Sequence, residues 1–256
     1  LKFRVDVRLC DVDKQFYLDY IDWLRSSCKT AWGKPVSPKT AHSYYTTLRT
    51  ALNEAVRENL IASNPWYRLE MTEKIKVPES KRDFLTIEEI KRMMATPFFN
   101  EQVRQAYLFS CFCGLRISDI RKLRWRDLSM SGGQWRASVV MTKTIHPVYI
   151  PLSSQAVKWL PERGDCTPDG LVFGGLPNEG NLCVNLKNWA EKAGVKKNVT
   201  FHTARHSCAV LLLTLGADIY TVSKILGHRS VRSTQVYAKI VDKKKDDAIA
   251  LVDNAF

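Results

Sequence analysis

The chain has 256 residues, 45% hydrophobic and 25% charged, a balance that supplies a packed core and excludes a disordered chain. Thirty-nine Lys and Arg against 26 Asp and Glu leave a formal charge of +13, which points to a polyanionic partner, either nucleic acid or an acidic membrane surface. Residues 1–82 hold 15 basic and 10 acidic side chains and the remainder 24 and 16, so the excess runs through the whole body and is not a detachable tail.

The first expected element covers residues 11–25, where Val12, Phe16, Tyr20 and Leu24 recur at i, i+4 spacing, the mark of an amphipathic helix. After a loop with Gly33 and Pro35, Ser37 and Pro38 form a helix start, serine as N-cap and proline at the first helical position. The stripe Ala41, Tyr44, Tyr45, Leu48, Leu52, Ala55 and Val56 continues it with helical period, and Asn64-Pro65 ends the segment. Residues 1–69 therefore read as a small all-helical domain. Residues 70–82 are polar, carry Lys74, Lys76, Lys81 and Arg82, and read as a basic linker.

A second domain, 83–256, opens with Thr86 and Glu89 in a capping box. An apolar helix over 101–113 stops at Gly114, and Ser118 is placed to cap a short helix through Leu123. Gln134–Met141 and Pro147–Leu152 are the two convincing strands, separated by residues 142–146 as a hairpin. Helices are expected around 153–160, 181–193, 203–215 and 218–226, the last closed by Gly227, and another from Ser230 through Tyr237. Ala248, Ile249, Leu251 and Val252 follow a charged run and suggest a short amphipathic helix. The expected fold is mainly α with a small antiparallel sheet.

Several function classes fall away. The longest apolar runs, such as Ala106–Leu115, are far short of the roughly 20 residues needed to span a bilayer. Seven cysteines, an odd count without paired metal-ligand spacing, argue against a disulfide framework or zinc site and read as buried free thiols in a reducing cytoplasm.

Chemistry-bearing residues sit at element ends. Arg116 falls at the break between two helices in Gly114-Leu115-Arg116-Ile117-Ser118-Asp119, and Lys143 at the hairpin turn. His202-Thr203-Ala204-Arg205-His206 begins a helix, Leu226-Gly227-His228 ends one, and Tyr237 follows nine residues later. A phenol has a pKa near 10 and is a weak nucleophile at neutral pH. Two arginines can clamp the non-bridging oxygens of a phosphodiester and favour a nearby phenolate. His202 could help deprotonate the tyrosine, His228 could bond the phosphate, and Lys143 could protonate the leaving 5′-oxygen. Such a cation set demands no metal.

This ordered set, with Ser37 to Pro65 and Phe84-Leu85-Thr86-Ile87-Glu88-Glu89-Ile90, resembles the tyrosine recombinase (phage integrase) family over nearly the whole chain. The resemblance implies a helical core-binding domain, a catalytic domain, and a site-specific recombinase that works without metal, ATP or other cofactor. Tyr237 would be the nucleophile, forming a 3′-phosphotyrosyl link. Arg116, Lys143, His202, Arg205 and His228 would be catalytic, with Asp119 orienting Arg116 or a histidine and His206 structural. It further implies double-stranded attachment sites, a homo-tetrameric synapse, accessory DNA-bending or directionality proteins, and a place on the bacterial nucleoid in the cytoplasm. A mobile-element integrase is the favoured reading, and the start at Leu1 fits loss of an arm-binding domain. The rivals are a host resolvase, a type IB topoisomerase-like relaxing enzyme, a metal-dependent nuclease and a catalytically idle architectural module. Lys39, Thr40, Ser43 and Thr47 on the second helix, with Lys74, Lys76 and Lys81, are candidate DNA contacts.

Overall fold

A computed structural model describes residues 3, 4, 6–77, 82–143 and 145–238. The chain divides into two units, Leu1–Lys81 and Arg82–Phe256. The amphipathic tail expected over Ala248–Val252 and the candidate contact Lys81 lie outside the described residues.

In the first unit, α1 (Lys14–Ser26) starts where the Asp13 side chain accepts the Phe16 N–H at 2.7 Å, so Val12 precedes the helix. Helix α2 (Pro38–Arg57) begins as the sequence suggests, with Ser37 capping the Thr40 N–H and Pro38 at its first position. Tyr17, Ile21 and Leu24 of α1 meet Ala41, Tyr45 and Leu52 of α2 in one apolar core. Asn64 does more than end a segment. Its Oδ1 accepts from the Tyr17 hydroxyl and the Trp66 N–H, and its Nδ2 donates to Arg49 O and Asn53 Oδ1. A buried amide that satisfies four partners fixes the chain reversal where apolar contacts alone would leave it loose. The stretch read as linker begins as part of this unit, for Glu73 pairs with Lys14 at 3.1 Å and Ile75 packs against the core.

The second unit contains α3 (Ile87–Ala95), opened by the expected Thr86–Glu89 capping box. Helix α4 (Glu101–Cys113) is buried on nearly every side and packs on α8 (Phe201–Thr214), which explains its unbroken apolar run. It ends at Gly114 with φ +74°, where an added Cβ would stand 2.7 Å from Leu226 Cδ2 and 3.3 Å from Cys208 Sγ. Helix α5 (Ile117–Ile120) departs from expectation. Its N-cap is Arg116, Ser118 lies inside it, and it stops before Leu123. A three-stranded antiparallel sheet follows in the order β1 (Leu128–Ser131), β2 (Gln134–Met141), β3 (His146–Pro151). Strand β1 has no β-branched residue and so carries little strand signal of its own; it is recruited by pairing Leu128 with Ala137. Helix α6 (Ser154–Val157) is shorter than the 153–160 expected. Helices α7 (Glu179–Lys192), α8, α9 (Ile219–Ile225) and α10 (Arg232–Ala238) follow among the described residues. Cys28, Cys111, Cys113 and Cys208 are buried free thiols, whereas Cys10, Cys166 and Cys183 are exposed, which corrects the reading of all seven as buried.

Candidate active site

The bend after α4 carries the first site residue. Gly114 takes the left-handed conformation that a side chain resists, and two residues later Arg116 sits in extended backbone at the start of α5. Its Nη1 lies 4.0 Å from Asp119 Oδ2 and 3.7 Å from Met141 Sδ. Asp119 is 1% exposed, and its other oxygen accepts the Thr142 backbone N–H at 2.8 Å. One buried carboxylate thus orients the arginine and anchors the hairpin turn in which Lys143 stands exposed.

Arg205, one turn into α8, is 4% exposed. Its Nη1 donates to Gly114 O at 2.7 Å and its Nη2 to Leu226 O. Those carbonyls belong to the C-terminal ends of α4 and α9, where the helix dipole is negative. Burial first, and the neighbouring Arg116 second, push the guanidinium down to about 10. It stays charged at neutral pH, beside a like charge, in a setting that favours an incoming anion.

Three histidines surround this pair. His228 follows Gly227, whose φ is +61° and whose added Cβ would meet Val148 Cγ2 at 2.9 Å, so the turn lies tight against the sheet. His228 Nδ1 contacts Thr234 Oγ1 at 2.8 Å. Burial, then Arg205, Arg116 and Arg82, lower its pKa to about 4. His202 is exposed, and its pKa is lowered by partial burial, then by Arg205, Arg116 and Lys143. His206 lies one turn further along α8, its pKa pushed to about 4 by burial and by Arg82. His206 and His228 are therefore neutral at pH 7, and the same lowering favours the neutral form of His202.

Tyr237 is 1% exposed and packs its ring among Ala209, Val210, Leu213, Val222 and Leu226. Its hydroxyl meets His206 Nδ1 at 2.5 Å and Arg82 Nη1 at 3.4 Å. The sequence points to His202 as the nitrogen serving the tyrosine and to His206 as structural; the contact is instead with His206. His202 and His206 are i, i+4 on one helix and share a face, a signal that could have raised His206. Arg82 and Thr234 had no such signal. Arg116, Arg205, His202, His228 and Tyr237 lie within one electrostatic neighbourhood, as their mutual influence shows.

The candidate DNA contacts of the first unit are less uniform. Lys39, Ser43, Thr47 and Lys76 are exposed, and Thr40 is half-buried. Thr40 Oγ1 pairs with the capping Ser37 hydroxyl and Thr47 Oγ1 donates to Ser43 O, so both hydroxyls are turned to their own helix. The Lys74 ammonium lies 4.1 Å from the Trp66 ring, whose other cationic neighbour, Arg49, is at 3.8 Å. Among the described residues no group of three or more His, Cys, Asp or Glu is placed to hold a metal, and no helix is long and apolar enough to cross a membrane.

Residues 83–244 match the phage integrase family and residues 1–76 its SAM-like domain. A tyrosine recombinase of Pseudothermotoga lettingae is 30% identical over 252 residues, covering 95% of this chain and 84% of the relative. Tyrosine recombinase XerD of Pseudomonas putida is 26% identical, over 91% of this chain and 80% of the relative. The fold is similar to that of the XerH site-specific recombinase bound to palindromic difH substrate, with TM-score 0.67, 19% identity and coverage of 96% and 74% of the two chains. It is also similar to a lambda integrase dimer on a COC′ core site, with TM-score 0.66, 20% identity and coverage of 92% and 83%. With 162 matched positions spanning the arginine pair, the histidines and the tyrosine, the chain belongs to the phage integrase family and is a tyrosine-type site-specific recombinase.

Proposed function

We propose that the chain binds duplex attachment sites and exchanges their strands through a covalent 3′-phosphotyrosyl intermediate, integrating or excising a mobile element. The observation that carries this reading is the close pair of Arg205, buried, and Arg116, half-buried, beside a tyrosine hydroxyl hydrogen-bonded to His206. Arg205, held by two helix-end carbonyls, is pre-organised; no reorganisation is needed when charge builds on the phosphate. Arg116, held by Asp119, completes the clamp, and His228 adds a ring-nitrogen bond to a non-bridging oxygen.

Tyr237 Oη attacks phosphorus as its proton passes to His206 Nδ1. The bond from phosphorus to the 5′-oxygen breaks, and Lys143 on the hairpin turn supplies the proton that makes a free 5′-hydroxyl. The phosphodiester energy is kept in the tyrosyl ester, so attack by a 5′-hydroxyl of a partner duplex reverses the step with exchanged strands and consumes no ATP. The expected assembly is a homo-tetramer around two duplexes, with accessory DNA-bending proteins setting direction.

The test is covalent trapping on a pool of nicked half-site duplexes. Wild type is expected to form an adduct insensitive to chelator, mapped to Tyr237, and Tyr237→Phe to bind equally well and form none. An adduct persisting in Tyr237→Phe places the nucleophile elsewhere. Strand exchange between two marked duplexes, against simple supercoil relaxation, separates a recombinase from a relaxing enzyme.

A further inference from the structure

We propose that Arg82 is a latch on Tyr237, closing over its hydroxyl in the resting protein and leaving it when a DNA phosphate offers a stronger acceptor. The inference deepens the reading just given and rests on it for the identity of the nucleophile and of the substrate.

Arginine only donates hydrogen bonds, and a phenol has one proton to give. The Tyr237 oxygen therefore accepts from Arg82 Nη1, and its own proton is donated to His206 Nδ1 in the tautomer that carries its hydrogen on Nε2. Arg82 also lies with its guanidinium carbon 5.7 Å from the centre of the Tyr237 ring, so it covers both the hydroxyl and part of the face. Among the described residues, apolar side chains of α8 and α9 pack against the ring. With Tyr237 at 1% exposure, no phosphorus atom can come within bonding distance of the hydroxyl until something withdraws. Of the two polar partners among the described residues, Arg82 is the more readily exchanged, because its contact is long, 3.4 Å against 2.5 Å, and made to a neutral oxygen.

A phosphate is a better acceptor for the same guanidinium. Charge-assisted bonds are about twice as strong as neutral ones, and arginine can meet a phosphate with two parallel N–H groups. Arg82 is also the first residue of the second unit, the one that holds Tyr237 and His206. Arrival of the backbone therefore draws Arg82 off the phenol while His206 stays bonded to it. The nucleophile is kept from water and from stray esters until the substrate itself opens the site.

The experiment labels accessible tyrosine hydroxyls of the DNA-free full chain with N-acetylimidazole and maps them by peptide mass spectrometry. Arg82→Gln is expected to raise acetylation of Tyr237 by roughly fivefold, the factor that one hydrogen bond of ordinary strength commands. Tyr17 and Tyr107, both 0% exposed, are expected to remain unlabelled. Unchanged Tyr237 labelling overturns the proposal, and so does a rise at all three tyrosines, which reports general loosening. On saturating nicked duplex, Arg82→Gln is expected to form its adduct faster than wild type; slower formation overturns the latch by showing that Arg82 serves the chemistry. If wild type forms no adduct on any duplex, the nucleophile assignment fails, while the labelling result still judges the latch.

Discussion

Arg205 has two duties that a single substitution can separate. On the mechanism proposed above its charge serves the phosphate, and its fork ties the buried carbonyls of Gly114 and Leu226. A lysine keeps the charge but cannot span both carbonyls, and a buried acceptor left without a partner costs about 1–3 kcal/mol. Arg205→Lys is therefore expected to lower the unfolding free energy by about 2–4 kcal/mol and to slow adduct formation at least 100-fold, roughly the value of one pre-organised donor. Denaturant unfolding and single-turnover cleavage read the two losses separately. A variant stable as wild type but slow would leave the stitching role without support. The sequence shows Arg205 only as a cation near the start of a helix. Its partners are backbone atoms far away in the chain, and no residue type marks them. The tyrosine's neighbours were hidden for the same reason: Arg82 is one cation in a polar run, and its meeting with Tyr237 depends on packing 155 residues apart.

At the scale of elements, α10 is fastened at two points one turn apart, Thr234 to His228 and Tyr237 to His206. Both histidines have pKa values near 4 in the folded chain, against about 6.5 when unfolded. Between those values the unfolded chain binds more protons, so stability falls as pH drops from about 6.5 and levels off below about 4. With allowance for partial exposure, each histidine contributes about 1–2 kcal/mol over that window. The melting temperature is expected to fall several degrees between pH 7 and pH 5, and the double substitution His206→Gln, His228→Gln to flatten that slope. An equal slope in the double variant would falsify the link to these two groups. Long elements with clear period, α2 and α4, and caps such as Ser37 and Thr86 could be read from the sequence because their causes are local. The start of α5 and strand β1 could not. One takes its cap from Arg116, which makes no side-chain bond there, and the other exists only because β2 offers it an edge.

For the whole molecule, +13 of formal charge makes salt the natural probe. If the chain replaces counterions at 6–10 phosphates, its affinity for duplex falls on the order of 10³–10⁵ between 50 and 200 mM salt. Lys39→Ala, at an exposed cation on α2, is expected to weaken binding to all duplexes alike and reduce the salt slope by about one. Lys74→Ala is expected to leave that slope unchanged and destabilise the first unit slightly, because its ammonium lies over Trp66. Filter binding at four salt concentrations distinguishes them; a slope altered by Lys74→Ala would return that residue to the DNA surface. Composition could announce a polyanion, but not which lysines are free to meet it. The order of the cations is a linear pattern, whereas the fate of Lys74 depends on the Trp66 ring that folds beneath it.

Asp119 faces Arg116 with one oxygen, at 4.0 Å and without a hydrogen bond, and holds the hairpin turn with the other. A genetic screen would consequently find one lesion with two symptoms. On the mechanism proposed above, Asp119→Ala blunts the hold on the non-bridging oxygens and, in the same protein, loosens the turn that carries the proposed proton donor Lys143, whereas Asp119→Asn, which keeps an acceptor for the Thr142 N–H, is expected to show the first symptom without the second.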